Sequence, residues 1–399
     1  MENTVARGAR LSSIDCLRGI IMVIMALDHV RDFFHDAATR FDPLDLDLSN
    51  PALFFTRFVT HYCAPAFAFL AGCGAGLSLN SGRRSGRDLR AYLATRGAWL
   101  IFLDATLVTL LWTFSIHPTP VFGTPAWSVL GVLWAIGFSM MMLALVCALP
   151  RAAIAAIGLA IVAGHNLFDA VTPAQFGALA PLWTALHAGG PVNMGVTTVL
   201  VFYPVLPWIG IVFLGFGASR VFAWPPLARQ RALLALGGLC LVLFVLIRGL
   251  NVYGDTTPWQ LRDHGLGTFY SFLNVQKYPP SLAYALVTLG PALILLALLE
   301  HARGAFVAVM AAIGRVPLFY YLLHLMLIHL VAMLVDWGQG SALAKASEAF
   351  WLRKPGDGPA FSLGETYAVW IAIVLALAPA CLWYDSVKRR SRSALLSYL

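Results

Sequence analysis

The chain has 399 residues, 59% of them hydrophobic and only 12% charged, where soluble domains carry roughly 25% charged residues. With a mean hydropathy of +0.77, this composition excludes a soluble globular protein and defines an all-α polytopic membrane protein. The formal net charge of +8 is no argument for a nucleic-acid partner: Lys and Arg collect at the cytoplasmic side of membrane proteins, and no basic run is interleaved with aromatics.

Apolar runs near the bilayer-spanning length of ~20 residues predict ten helices, at about 12–34, 52–79, 96–115, 126–149, 152–169, 198–222, 231–249, 281–300, 304–335 and 366–386. The ninth is expected to break at "IGRVP" (313–317). Arginines concentrate in the segments before the first helix (Arg7, Arg10), between the second and third (Arg83, Arg84, Arg87, Arg90, Arg96) and after the last (Arg389, Arg390, Arg392). That bias places both termini in the cytoplasm. Residues 1–399 read as one transmembrane domain with outer loops at about 35–51, 250–280 and 336–365. Connections of this length usually carry function. The six cysteines have no CxxC spacing, so no zinc site is expected and no metal is assigned.

Ionisable groups crowd the first helix. Arg18 and His29 are eleven residues apart, which returns them to nearly one face about 16 Å apart, with Gly19, Met22 and Ala26 between them. Asp15 can pair with Arg18 at i,i+3. Charges in membrane segments face a bundle interior or a wet cavity. Histidine titrates near neutral pH, and His29 and His35 both stand at the far end of this helix. Asp104, inside the third helix, needs a partner such as Arg18 or a histidine. His324 and His329 lie on different faces of the ninth helix.

The stretch "SIDCLRGIIMVIMALDH" resembles the opening helix of the multispanning membrane acyltransferases, including the acyltransferase-3 type O-acetyltransferases. The phrases "HYCAPAFAFLAG", "FYPVLPWIG", "KYPPSLAYALVTLG", "GRVPLFYYLLHLMLIH" and "WYD" resemble a bacterial branch similar to lysosomal heparan-α-glucosaminide N-acetyltransferase. The resemblance implies acyl transfer across a bacterial inner membrane. Acetyl-CoA in the cytosol would be the donor, and a hydroxyl or amine of an extracytoplasmic sugar or glycan the acceptor. On this reading Asp15 and Arg18 organise the first helix, His29 or His35 is the base, and His324 or Asp104 assists.

His61, Asn274, Lys277, Tyr278 and Ser281 are candidates for holding the acceptor, and Arg83, Arg84, Arg220 and Arg315 for the CoA phosphates. The partners expected are membrane lipid, acetyl-CoA and the glycan, and a homodimer is compatible with the sequence. The alternative is a proton-coupled transporter of a small solute, since buried Asp, Arg and His also build proton relays.

Overall fold

The computed structural model describes residues 12–121, 124–195, 197–263, 265–354, 357–391, 393 and 396; Arg7, Arg10 and Arg392 lie outside them. Among the described residues, eight helices are long and apolar enough to cross a membrane. The helices of the first half are α1 (Ser12–Phe34), α2 (Pro51–Thr60), α3 (Cys63–Asn80), α4 (Gly86–Leu103), α5 (Thr109–Thr113), α6 (Val132–Val146), α7 (Arg151–Gly164) and α8 (Ala180–Trp183). Those of the second half are α9 (Leu206–Ala218), α10 (Pro226–Leu250), α11 (Gly265–Leu273), α12 (Leu282–Leu299), α13 (Ala305–Arg315), α14 (Pro317–Gly338), α15 (Leu343–Ala346) and α16 (Leu363–Arg390).

Local chemistry accounts for the boundaries. Asn50 caps α2 through a bond from Leu53 N, and Ser85–Asp88 and Ser362–Glu365 form capping boxes on α4 and α16, each satisfying amides that a helix start leaves open. The expected break in the ninth span falls at Val316, whose φ of −125° and ψ of 47° are non-helical. A residue before proline is driven out of the α region, and Pro317 then opens α14.

Helices meet here through backbone contact. In a bilayer the lipid chains are as apolar as leucine, so tight association relies on small residues that let backbones approach. Gly97 of α4 and Gly137 of α6 face each other so closely that a methyl on Gly97 would lie 2.5 Å from the Gly137 carbonyl oxygen. On α1, a methyl at Gly19 would collide with the Met310 carbonyl of α13, and one at Gly314 with the Asp15 carbonyl. The first helix is thus buried among α13, α14, α16, α3 and α12.

The third, fourth and sixth predicted spans are corrected at their starts, the fourth because residues 126–131 are strand and turn before α6 begins at Val132. Thr198–Val201 is not helix but strand β5, paired in parallel with β3 (Ser128–Leu130) and antiparallel with β4 (Gly190–Asn193). The β-branched run Thr198–Val201 fits a pleated surface, and its apolar residues run on into α9, which hides the boundary from a hydropathy reading. A short hairpin of β1 (Thr119–Val121) and β2 (Thr124–Ala126) lies beside this sheet. The third span begins earlier than predicted, at Gly86, and continues through a π-helical turn over Asp104–Val108 into α5.

Candidate functional site

Two helices bring two histidines together. His29, near the last turn of α1, has its Nδ1 2.7 Å from Nε2 of His324 on α14, and the rings lie almost parallel. His324 is fully buried, and its own Nδ1 lies 3.0 Å from the Tyr320 carbonyl one turn back. A carbonyl can only accept, so His324 Nδ1 carries the proton and its Nε2 offers a lone pair. His29 Nδ1 must then donate, which leaves His29 Nε2 as a proton acceptor. The chain of bonds fixes the tautomer of a half-buried imidazole. Trp112 stands edge-on to His29 with ring centres 4.8 Å apart, and Tyr321 stands at 6.4 Å.

Beside this pair lies a knot of charge. Asp28 accepts from Arg57 Nη1 at 2.6 and 2.7 Å and from Thr60 Oγ1 at 2.8 Å, and Arg31 Nη1 lies 2.8 Å from it. Arg31 also bonds Asp32 at 2.6 Å. Pairing of this kind is what makes ionised groups tolerable at membrane depth. The Lys277 ammonium sits 5.1 Å from the Tyr278 ring centre. His61 is buried with neither ring nitrogen hydrogen-bonded, and Tyr284 fixes the turn beneath it by donating to the His61 carbonyl at 2.8 Å. Tyr278 and Tyr203 bring their hydroxyls to 3.4 Å. His61 follows directly on Thr60, whose hydroxyl bonds Asp28, and so lies on the His29 side of the bundle.

Other sequence candidates are occupied elsewhere. His35 caps a short turn: its Nδ1 accepts from Ala37 N at 3.1 Å, so the lone pair a base would need is already engaged, and burial holds its pKa below the usual histidine value. Asp104 does not meet Arg18 or a histidine. Its Oδ2 accepts from Gly131 N at 2.7 Å and Trp134 N at 2.8 Å, capping the start of α6. Ser281 caps α12, accepting from Tyr284 N and donating to Asp255 at 2.6 Å. Asn274 reaches the Leu44 carbonyl at 3.3 Å, tying the 35–50 and 251–281 connections together.

At the other end of α1, Arg18 Nη2 donates to the Leu70 carbonyl of α3 at 2.9 Å and Nη1 lies 3.7 Å from Asp15. Both ends of the predicted face thus turn toward protein, but Met22 and Ala26 between them are packed shut. Among the arginines proposed for phosphate, Arg315 pairs with Asp385 at 2.6 and 2.7 Å. Arg84 bonds Ser78 and lies 3.7 Å over Tyr92. Arg83 and Arg220 are exposed.

Sequence reasoning missed a second cluster. His165 and Asp169, just past the C-terminal end of α7, meet His187 from the π-helical turn Thr184–Ala188. The i,i+4 spacing of His165 and Asp169 was the available signal; nothing in the sequence announced His187 as their neighbour.

The fold and this geometry define a class: a polytopic membrane protein whose polar groups converge on a paired-histidine centre. The family of heparan-alpha-glucosaminide N-acetyltransferase catalytic domains matches residues 10–253. The chain belongs to this family, and with it to the membrane acetyltransferases. No curated protein matches the chain. The matched segment holds Arg18, His29 and His61, while Lys277 and His324 lie beyond it.

Proposed function

We propose that the chain moves an acetyl group from cytosolic acetyl-CoA to a hydroxyl or amine of an extracytoplasmic sugar or glycan, with His29 as general base. Residues 1–399 would act as one unit of ten spans in a bacterial inner membrane, both termini cytoplasmic, with α1 and the 15-residue α6 adding to the eight apolar helices. The observation that carries this reading is the His29–His324 pair, because its tautomers leave His29 Nε2 basic.

In the direct reaction, the acceptor's O–H or N–H proton passes to His29 Nε2 as its heteroatom bonds the thioester carbonyl carbon. The C–S bond then breaks, and the departing thiolate takes up that proton. His324 holds the ring and accepts from the resulting imidazolium, as the third group of a nucleophile–base–orienter array does. Lys277 would offset negative charge on the carbonyl oxygen as the tetrahedral intermediate forms. His61, with both nitrogens free of hydrogen bonds, suits a sugar hydroxyl. Exposed Arg83 and Arg220 are the arginines best placed to meet CoA phosphates; Arg315 and Arg84 are engaged by Asp385 and by Ser78 and Tyr92.

The test is acetyl-CoA binding and thiol release by purified protein in detergent, with a panel of amino sugars, comparing wild type with His29→Ala. Saturable binding that survives the substitution, with turnover lost, supports the reading. Absence of CoA binding at millimolar concentration would remove it and favour a solute carrier that uses the histidine pair as a proton relay.

A further inference from the structure

Outside the His29 centre, His165, Asp169 and His187 form a group of metal-ligating side chains among the described residues. One ligand atom from each lies within 4.8 Å of the others. His165 Nδ1 is 3.4 Å from His187 Nε2, and His187 Nε2 is 3.5 Å from Asp169 Oδ1. Two ligands bound at 2.0–2.1 Å to a tetrahedral ion are separated by about 3.4 Å, so the two spacings that meet at His187 Nε2 match edges of such a tetrahedron. His165 and His187 are 2% and 3% exposed.

Hydrogen bonding within the cluster leaves a remainder. With no ion bound, His187 Nε2 donates to the His165 carbonyl at 3.0 Å, a proton it must release to become a ligand, whereas Asp169 Oδ1 is buried with no hydrogen-bond partner. A carboxylate oxygen in that position is costly unless a cation meets it.

The surroundings are built as metal sites are, with an outer layer that orients the ligands. Asn166 Nδ2 donates to the other Asp169 oxygen at 2.8 Å, and Asn166 Oδ1 accepts from Leu282 N at 2.9 Å, at the first residue of α12. Trp183 stacks on His187 with ring centres 5.1 Å apart and planes 15° off parallel.

We propose that His165, Asp169 and His187 bind a divalent cation of the zinc class, leaving a fourth position open to water. Two imidazoles and one carboxylate form a set that suits zinc. The ion ties the end of α7 to the π-helical turn. Through Asn166 and Leu282 it also braces the start of α12, next to the Lys277–Pro280 turn. Its role is to hold the outer rim in place.

The experiment reads metal, not acetyl transfer, so its outcome is independent of the proposed reaction. Tag-free protein in detergent is stripped with chelator and reloaded with zinc or cobalt(II). Wild type should retain one zinc per chain, and the cobalt form should show the intense visible bands of a four-coordinate ion. His187→Gln and Asp169→Asn should lose more than the ~10- to 100-fold in affinity that removing an outer-layer partner costs, while His329→Gln, in a histidine bonded to the Leu111 and Ser347 carbonyls, should keep full stoichiometry. Should His187→Gln fail to fold, Asp169→Asn decides, because asparagine preserves the side-chain shape. Sub-stoichiometric zinc in wild type at micromolar concentration, or unchanged zinc in Asp169→Asn, would overturn the proposal.

Discussion

Replacing His324 with leucine removes the acceptor that holds the His29 tautomer, and the size of the effect can be worked out. In wild type, His29 Nδ1–H donates to His324 Nε2 at 2.7 Å and Nε2 is free to take a proton. With leucine in place, keeping the proton on Nδ1 buries an unsatisfied donor, which costs about 1–3 kcal/mol. At 1.4 kcal/mol per factor of ten, the basic-Nε2 form falls by about 5- to 150-fold relative to the other tautomer. The turnover number should fall by that factor, with KM for acetyl-CoA unchanged, because no donor contact is touched. His324→Gln retains an acceptor oxygen and should stay within a few-fold of wild type. His29→Ala, which deletes the base, should lose about 10²–10⁴. The assay is thiol release from acetyl-CoA by monodisperse protein in detergent, run from pH 5.5 to 8.5. Wild-type turnover in His324→Leu would refute the tautomer argument. Equal losses in leucine and glutamine variants would refute it as well, since a packing defect would not distinguish them.

Other perturbations test the frame around the site. Asp28→Asn leaves Arg31 and Arg57 buried without their shared carboxylate and should destabilise by about 3–5 kcal/mol, read as a shortened thermal half-life. Gly19→Ala drives a methyl into the Met310 carbonyl and should cost at least the ~1–3 kcal/mol of overpacking. Gly238→Ala, with open space at its Cβ, should be neutral or stabilising by up to about 1 kcal/mol. Asp104→Ala should cost about 1–2 kcal/mol through the lost cap of α6 and leave turnover per folded molecule unchanged. His35 has its pKa lowered by burial, so its contribution is present above the ordinary histidine value near 6.5. That contribution is lost as pH falls below it and the unfolded chain takes up the proton first. His35→Gln should flatten the acid side of a melting-temperature profile between pH 7.5 and 5.5.

Much of the bundle was legible because hydropathy acts locally. The break before Pro317 and the inward-facing ends of the first helix followed from single residues and their spacing. The His29–His324 pair did not follow, since 295 residues separate its members and only packing of α1 against α14 sets their distance. The outer sheet was hidden by continuity: the Val and Leu residues of β5 merge with the apolar run of α9, and strand pairing to Ser128–Leu130 is non-local. Asp104 calls for a charged partner by sequence, whereas two backbone amides meet its Oδ2 and its Oδ1 stays buried without a hydrogen bond. That outcome depends on where α6 begins, which no periodicity within the third helix reports.

The meshing of α1 with α13 constrains how the bundle can move. Where Gly19 and Gly314 place main chain against main chain, no side chains remain to swing aside or slide, so the two helices must travel as one rigid body. A route from Arg18 to His29 past Met22 and Ala26 cannot open by shearing this seam. It has to come from elements packed on the other flanks of α1, and α12, whose interior Pro291 removes one hydrogen bond from the helical ladder, is the natural place for a hinge. A cross-link fixing α1 to α13 should therefore leave any transport of substrate intact, whereas one fixing α1 to α12 should arrest it.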